Sequence, residues 1–198
     1  MEAPDNGGRL ERAVSSLSTL LARLAGFAIL GSALMIAVEV LARRLFSTSL
    51  IGADEISGYV LAIAVTWGAS LAIIRRAHVR IDILHHQLPR PWAAMLDLLA
   101  LLAMLAFTLL LAWYATRLLG TNIGVGAVSN TPMEVPMWIP QSLWVAGLWI
   151  FAAVTSVLIV LTTRAIFRRD LDHAQRLAGV RGALEEVKRE ASAGQEKA

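Results

Sequence analysis

The sequence predicts an all-α integral membrane protein with four transmembrane helices. Hydrophobic residues make up 57% of the 198 residues and charged residues only 17%, whereas a soluble domain carries roughly 25% charged residues. The mean hydropathy is +0.61, and the apolar residues are concentrated in four blocks between short charged segments. Each block can cross about 30 Å of hydrocarbon as a helix, and helices are required because lipid offers the backbone no hydrogen-bond partners.

The predicted spans form one membrane domain over residues 20–165. They cover residues 20–41, 56–74, 93–115 and 138–163. The first is interpreted as a retained helix, because its apolar run exceeds the roughly 7–15 residues of a signal peptide. The N-terminal segment, residues 1–19, has helical spacing of apolar residues and is either a short amphipathic helix on the membrane surface or an extension of the first span. The tail, residues 166–198, is predicted to hold an amphipathic helix and a disordered end.

Basic residues are distributed unevenly between the two sides of this domain. The N-terminal part, the loop between spans two and three, and the tail hold fifteen of the eighteen Lys and Arg residues. The opposite side holds Arg43, Arg44 and Arg117. Because cytoplasmic segments are enriched in positive charge, both termini are predicted to be cytoplasmic. Trp138, at the start of span four, suits the outer interface, where tryptophan is enriched.

Charged residues of both signs flank the first outer loop. Glu39 precedes Arg43 by four residues, the favourable order for an ion pair on a helix. Asp54 and Glu55 begin span two, where acidic residues suit the positive end of the helix dipole, and Arg43 and Arg44 could pair with them across the loop. The cluster is either a satisfied interfacial charge group or a docking surface for another subunit.

Small residues recur through span two at a spacing of four. They are Gly58, Ala62, Ala64, Gly68 and Ala72. Small residues at this spacing let helix backbones approach closely. The pattern predicts helix packing, within this subunit or against a partner, rather than a substrate path.

The inner loop carries histidines near an aspartate. On a helix, His78, Asp82 and either His85 or His86 would share one face, which is one arrangement that could hold a metal ion. Four arginines in the same loop disfavour a cation there, so an interfacial helix is the preferred interpretation. Asp97 in span three is interpreted as a helix N-terminal charge paired with an arginine, and an ion-coupling role is the alternative.

The second outer loop is rich in glycine and proline. Pro132, Pro136 and Pro140 recur every four residues, a pattern through which a helix cannot continue. A turn-rich, exposed entry to span four is predicted, and exposed loops of this kind often meet partners.

Several function classes lose support from what the sequence lacks. There is no cysteine, which removes disulfides and cysteine-ligated metal centres. No histidine lies in a predicted span, as an intramembrane bis-histidine haem would require, and no His-Glu-x-x-His motif occurs. The basic residues flank apolar blocks, so membrane orientation explains them better than nucleic-acid binding does. No catalytic, cofactor or metal site is predicted, and the chain is not expected to be an enzyme.

Three stretches carry a resemblance to a known family. They run from Glu39 to Arg44, from Gly52 through Asp54, Glu55, Trp67 and Gly68 to His78 and Asp82, and from Ser129 through Pro136 to Trp138. Over about residues 20–165 the chain resembles the small, Q-type membrane subunit of a TRAP (tripartite ATP-independent periplasmic) transporter.

The resemblance implies a role in solute uptake across a bacterial inner membrane. It implies a large, sodium-coupled permease subunit as one partner and a periplasmic solute-binding receptor for an organic acid or similar solute as the other, with membrane lipids around both membrane subunits. The small subunit would scaffold the permease and help dock the receptor. By position, Glu55, Trp67, His78, Asp82 and Pro136 would be the family-typical residues, with structural and interfacial roles.

Three alternatives remain open. One is the small subunit of a tripartite tricarboxylate transporter, which also has four spans. Another is a self-sufficient small exporter, although such exporters place a glutamate in the middle of the first helix and Glu39 lies near its end. The last is an assembly factor that associates with no permease.

Overall fold

The computed structural model describes residues 6–47, 52–76 and 89–168, together with residue 177. Within these ranges the chain forms four helices: α1 (Asn6–Phe46), α2 (Ala53–Ile74), α3 (Arg90–Gly124) and α4 (Trp138–Phe167). All four are long and apolar enough to cross a membrane, which confirms the predicted fold class. The histidine-containing loop with His78 and Asp82, and the predicted amphipathic helix of the tail, lie outside the described residues.

All four helices are longer than the predicted spans, and α1 and α3 exceed them by the most. Helix α1 is continuous from Asn6, so the N-terminal segment extends the first span instead of forming a separate helix. No proline interrupts it. Helix α3 continues from the predicted end at Ala115 to Gly124. Pro140, which was predicted to lie in a turn, is in the first turn of α4, where the missing backbone N–H of proline costs little.

The described residues divide into two compact units, each considered by itself. The first takes in the described residues within 1–71 and 104–156, and the second takes in those within 72–103 and 157–198. In the first unit, α3 and α4 form a buried cluster of small and branched residues. Its members are Ala112, Ala115, Val145 and Leu148, with Leu119 and Trp144 packed against them. In the second unit, Asp97 is only 3% exposed, and its predicted pairing with an arginine stays a prediction.

Helix α2 lies against the backbone of α4 at Gly147. A methyl group built on Gly147 would lie 2.3 Å from Thr66 Oγ1 and 2.6 Å from Trp67 Cδ1, so only glycine fits this approach. One turn earlier on α4, the carbonyl of Leu143 accepts a hydrogen bond of 3.0 Å from the indole N–H of Trp67. Close packing and a hydrogen bond therefore join the two helices at one place, as is common between membrane helices.

The glycines of α2 do not make this contact. No described atom outside the local helix lies within 4 Å of a methyl group built on Gly58 or Gly68. The predicted close approach exists within the subunit, but its glycine is on α4, while α2 contributes Thr66 and Trp67. The open surface at Gly58 and Gly68 leaves room for a contact outside this chain.

Replacing Gly147 with alanine should destabilise the subunit. The new methyl group overlaps the side chains of Thr66 and Trp67, and the shift needed to accommodate it is expected to lower the free energy of unfolding by about 1–3 kcal/mol. Gly68→Ala is the matched control on the facing helix and should change stability by less than about 0.5 kcal/mol. Thermal unfolding of the purified variants in one detergent compares them, and equal melting temperatures for the two would contradict the contact.

Candidate functional site

The segment between α3 and α4 folds back on itself as a short hairpin. Two residues after α3 ends, Gly126 has a left-handed backbone conformation (φ 62°), which glycine adopts readily just beyond a helix. Ala127 then donates its N–H to the Asn122 carbonyl at 2.9 Å. Beyond the helix, Val128 and Pro136 form an antiparallel bridge. We call residues 127–137 the hairpin.

Three contacts close the hairpin and its base. The N–H of Ser129 donates to the carbonyl of Val135 at 2.9 Å, and the N–H of Met137 donates to the carbonyl of Ala127 at 3.0 Å. Below them, the side-chain amide of Asn122 on α3 donates to Gln141 Oε1 on α4 at 2.9 Å. The helix ends are thus tied together beneath a turn whose backbone groups are largely paired. The sequence predicted that this segment is turn-rich, but it did not predict the hairpin.

The Glu55 carboxylate connects the hairpin to the first turn of α2. One carboxylate oxygen accepts a hydrogen bond from the Tyr59 hydroxyl, one turn along α2, and the other accepts one from the Thr131 hydroxyl in the hairpin. Thr131 Oγ1 is also 3.0 Å from Ser129 Oγ. Ser129 Oγ in turn accepts the N–H of Val135 at 3.1 Å.

The Glu55 carboxylate sets the direction of each hydrogen bond in the series that runs through Thr131 and Ser129 to Val135. An ionised carboxylate can only accept, so the single proton of the Thr131 hydroxyl must point to Glu55. Thr131 can then only accept from Ser129, and Ser129 accepts from the backbone of Val135. The donors line up toward the charge, an arrangement in which each hydrogen bond polarises the next. Because Tyr59 also gives its proton to Glu55, its 3.5 Å approach to Met137 Sδ is a packing contact.

A second contact, between Met133 of the hairpin and Gly52, also holds the hairpin against the start of α2. Gly52, which immediately precedes α2, has φ 90°, and its carbonyl accepts the N–H of Ile56 at 2.9 Å. The side chain of Met133 lies directly over it: a methyl group on Gly52 would be 1.7 Å from the methionine sulfur. Gly52 is therefore required both for its backbone conformation and for the space that Met133 occupies.

Glu134 has an unusual backbone conformation for its residue type. Its φ is 46°, in the left-handed region, and its N–H donates to the Thr131 carbonyl at 3.1 Å to close a four-residue turn. Glycine or asparagine is the usual choice for such a position, and another residue costs roughly 1–2 kcal/mol there. The side chain of Glu134 is exposed.

The first outer charge cluster is only partly as predicted. Glu39 and Arg43 form the expected ion pair, with Arg43 Nη2 2.6 Å from Glu39 Oε1; the Glu39 side chain is 4% exposed and that of Arg43 62%. Asp54 and Glu55 occupy the first turn of α2 as predicted. Glu55, however, accepts hydrogen bonds from the hydroxyl groups of Tyr59 and Thr131. It pairs with neither arginine among the described residues, because the hairpin supplies Thr131 and Arg43 is already bound to Glu39. Arg44 and Asp54 are exposed.

The other predicted site residues fall in different places. Trp67 joins α2 to α4, and Gly68 beside it faces open space. Pro136 forms the hairpin bridge, and Trp138, the first residue of α4, is 50% exposed. His78 and Asp82 are outside the described residues, so their roles stay predictions. In the part of the chain that the structure describes, no group of three or more His, Asp and Glu residues is placed to hold a metal ion.

Sequence reasoning missed the hydroxyl residues that surround Glu55. Tyr59 had a detectable signal, because it follows Glu55 by one helical turn, the spacing at which side chains meet. Ser129 and Thr131 lie in the proline-containing segment before α4, but their sequence positions carry no information on their distance from Glu55. Their contact with a residue 76 positions away depends on how the hairpin folds back, which local spacing does not encode.

A comparison with known proteins gives one family. Residues 32–165 match the family model described as "Tripartite ATP-independent periplasmic transporters, DctQ component". The match includes the Glu39–Arg43 pair, all of α2 and the complete hairpin. No curated protein and no solved structure matches the chain significantly.

Removing the Thr131 hydroxyl should loosen the hairpin without unfolding the helices. In Thr131→Val, Glu55 loses one donor and Ser129 loses its acceptor, so the amides of Ser129 and Met137 should exchange with solvent about three- to tenfold faster. Hydrogen exchange read by mass spectrometry measures this. Thr121→Val is the control, because the Thr121 hydroxyl bonds only to the Arg117 carbonyl in its own helix.

The same measurement tests whether Glu55 and Thr131 act together. If the Thr131 hydroxyl works through Glu55, the double variant Glu55→Ala/Thr131→Val should exchange no faster than Glu55→Ala alone. Additive effects would show that the two residues hold the hairpin independently, contrary to the connected chain of hydrogen bonds described here.

Proposed function

Because this chain belongs to the DctQ component family of the tripartite ATP-independent periplasmic transporters, we propose that it scaffolds a larger permease subunit and helps a periplasmic solute receptor to dock. The match over residues 32–165, well over half of the chain, carries the proposal. Four membrane-spanning helices fit such a component, and so does a structured loop at the end where α2 and α4 begin. The proposed role is structural and interfacial, with no catalytic step in this chain.

Association with a larger membrane protein is supported by the surface of α1. In the most apolar stretch of α1 only 11% of the residues are buried, against 56% in α4. The buried residues of α1 include Ser18, Leu21 and Ala25, which are spaced by three or four, and Glu39 farther along the helix. The opposite side exposes large apolar side chains over the whole span, including Phe27 (73%). Such a surface suits lipid and the helices of a permease.

Docking of a soluble receptor is supported by the hairpin. With both termini in the cytoplasm, as the basic residues predict, the hairpin lies on the outer side of a bacterial inner membrane. It is exposed and held in one conformation by Glu55 and Gly52. Uptake of an organic acid driven by sodium is proposed for the whole transporter, in which the permease holds the ion and solute sites.

The Glu39–Arg43 ion pair favours this role over that of a self-sufficient exporter. An exporter of that kind needs a carboxylate in the middle of its first helix to exchange protons or substrate. Glu39 is near the end of α1 and is already paired with Arg43. A carboxylate that is already paired with an arginine is less suited to exchange protons or substrate.

Co-expression with a large permease subunit of the same transporter family tests the proposal. The tagged small subunit should recover the permease in equimolar amounts in mild detergent, and proteoliposomes should take up solute only when both subunits and the receptor are present. Recovery of the small subunit alone or as a homodimer, with transport by that form, would replace the proposal by a self-sufficient exporter.

The absence of cysteine makes the topology directly measurable. Single cysteines at Asn130, in the hairpin, and at Ala13, near the start of α1, should behave oppositely toward a membrane-impermeant maleimide added to spheroplasts. Asn130→Cys should be labelled and Ala13→Cys should react only after the membrane is opened. The reverse pattern would place the termini outside and rule out hairpin docking of an external receptor.

A further inference from the structure

The left-handed backbone conformation of Glu134 is not explained by a position at the end of a helix. Among the residues that the structure describes, two other non-glycine residues have positive φ: Ser47 directly follows α1 and Arg76 follows α2, positions where helices commonly end in this conformation. Glu134 follows no helix. It closes the turn at the tip of the hairpin, where glycine or asparagine would serve the backbone better.

Among the described residues, the side chain of Glu134 makes no contact that would offset the free-energy cost of its backbone conformation. Its carboxylate is exposed and has no hydrogen-bond or ion-pair partner among the described residues. Glu55, by contrast, receives two hydroxyl donors on the opposite side of the hairpin. A residue in a strained backbone conformation whose side chain has no partner among the described residues is typical of a position selected for a contact outside the subunit.

The surroundings of Glu134 form a small and rigid contact surface. Exposed apolar side chains lie on the hairpin and directly after it: Val128 is 49% exposed, Met133 38% and Trp138 50%. The backbone that carries them is fixed by Glu55, Gly52 and the Val128–Pro136 bridge. Because the surface is already ordered, a partner that binds it need not order a flexible loop.

We propose that the hairpin tip is the contact through which the soluble solute receptor engages this subunit, with the Glu134 carboxylate pairing with a basic side chain of the receptor. The inference rests on the proposed function and names the residue that recognises the partner. An exposed carboxylate disfavours an anionic lipid surface and a purely apolar helix at this tip, and it suits a soluble partner that carries a basic side chain. A charge at the rim of such a contact acts mainly on the rate of association and on selection of the correct partner.

Four substitutions of Glu134 separate charge from backbone strain. Glu134→Gln removes the charge and keeps the strained residue type, whereas Glu134→Asn removes the charge and suits the left-handed conformation. Glu134→Asp keeps the charge, and Glu134→Lys reverses it. Each is made in the complete small-subunit and permease complex, and receptor-dependent uptake is measured as a function of receptor concentration in proteoliposomes.

The charge should determine docking, and the strain should determine stability. The receptor concentration for half-maximal uptake should rise about fivefold for Gln and Asn and more for Lys, while Asp stays close to wild type. Raised ionic strength should weaken the wild-type complex more than the Gln variant. Glu134→Asn should nevertheless melt at the same temperature as wild type or higher, so its loss of docking cannot be attributed to unfolding.

Two results would overturn the inference. Unchanged half-saturation for Gln, Asn and Lys would show that Glu134 is not a docking residue, and loss in Gln without further loss in Lys would exclude pairing with a basic group. In both cases the permease would still be recovered with the subunit, so the proposed function would stand. Failure to recover the permease with the wild-type subunit would instead contradict the proposed function and this inference with it.

Discussion

The carboxylate of Glu55 is the interaction on which the hairpin depends. It lies at the start of a membrane helix and can only accept hydrogen bonds. The hydroxyl groups of Tyr59 and Thr131, from different parts of the chain, therefore both donate to it. Without it, Thr131 and Ser129 would have no fixed donor order and the Val135 N–H would lose a defined partner. The loop between α3 and α4 is therefore organised from α2, and not by its own prolines alone.

A different kind of contact joins the same helices farther along. At Gly147 the absence of a side chain brings Thr66 and Trp67 onto the backbone of α4, where the Trp67 indole finds the Leu143 carbonyl. Lipid provides little hydrophobic drive between helices, so packing and hydrogen bonding must supply the specificity. Helix α2 is thus fixed at its beginning by a charge and along its length by a glycine, and the hairpin inherits its position from both.

Features encoded within one helical turn were predictable from the sequence, and features that join distant segments were not. The four spans followed from composition, and the Glu39–Arg43 pair and the acidic first turn of α2 followed from spacing. The sequence offered Arg43 and Arg44 as residues that could pair with Glu55, because they are the nearest opposite charges in sequence. The actual partner, Thr131, is neutral and reaches Glu55 only after the hairpin has folded. Gly147 was likewise indistinguishable from the other glycines, because its role depends on the opposite helix.

The length of α1 has a mechanical consequence. At 1.5 Å per residue its 41 residues form a rod of about 62 Å, roughly twice the thickness of the hydrocarbon core, and even a tilt of about 40° leaves it about 47 Å tall. With Phe46 near one interface, the other end must leave the bilayer as a continuous, proline-free helix. Such a rod acts as a spacer: whatever binds its first turns is held at a set height from the membrane, and a tilt of the helix within the bilayer moves that site sideways by a proportionate distance.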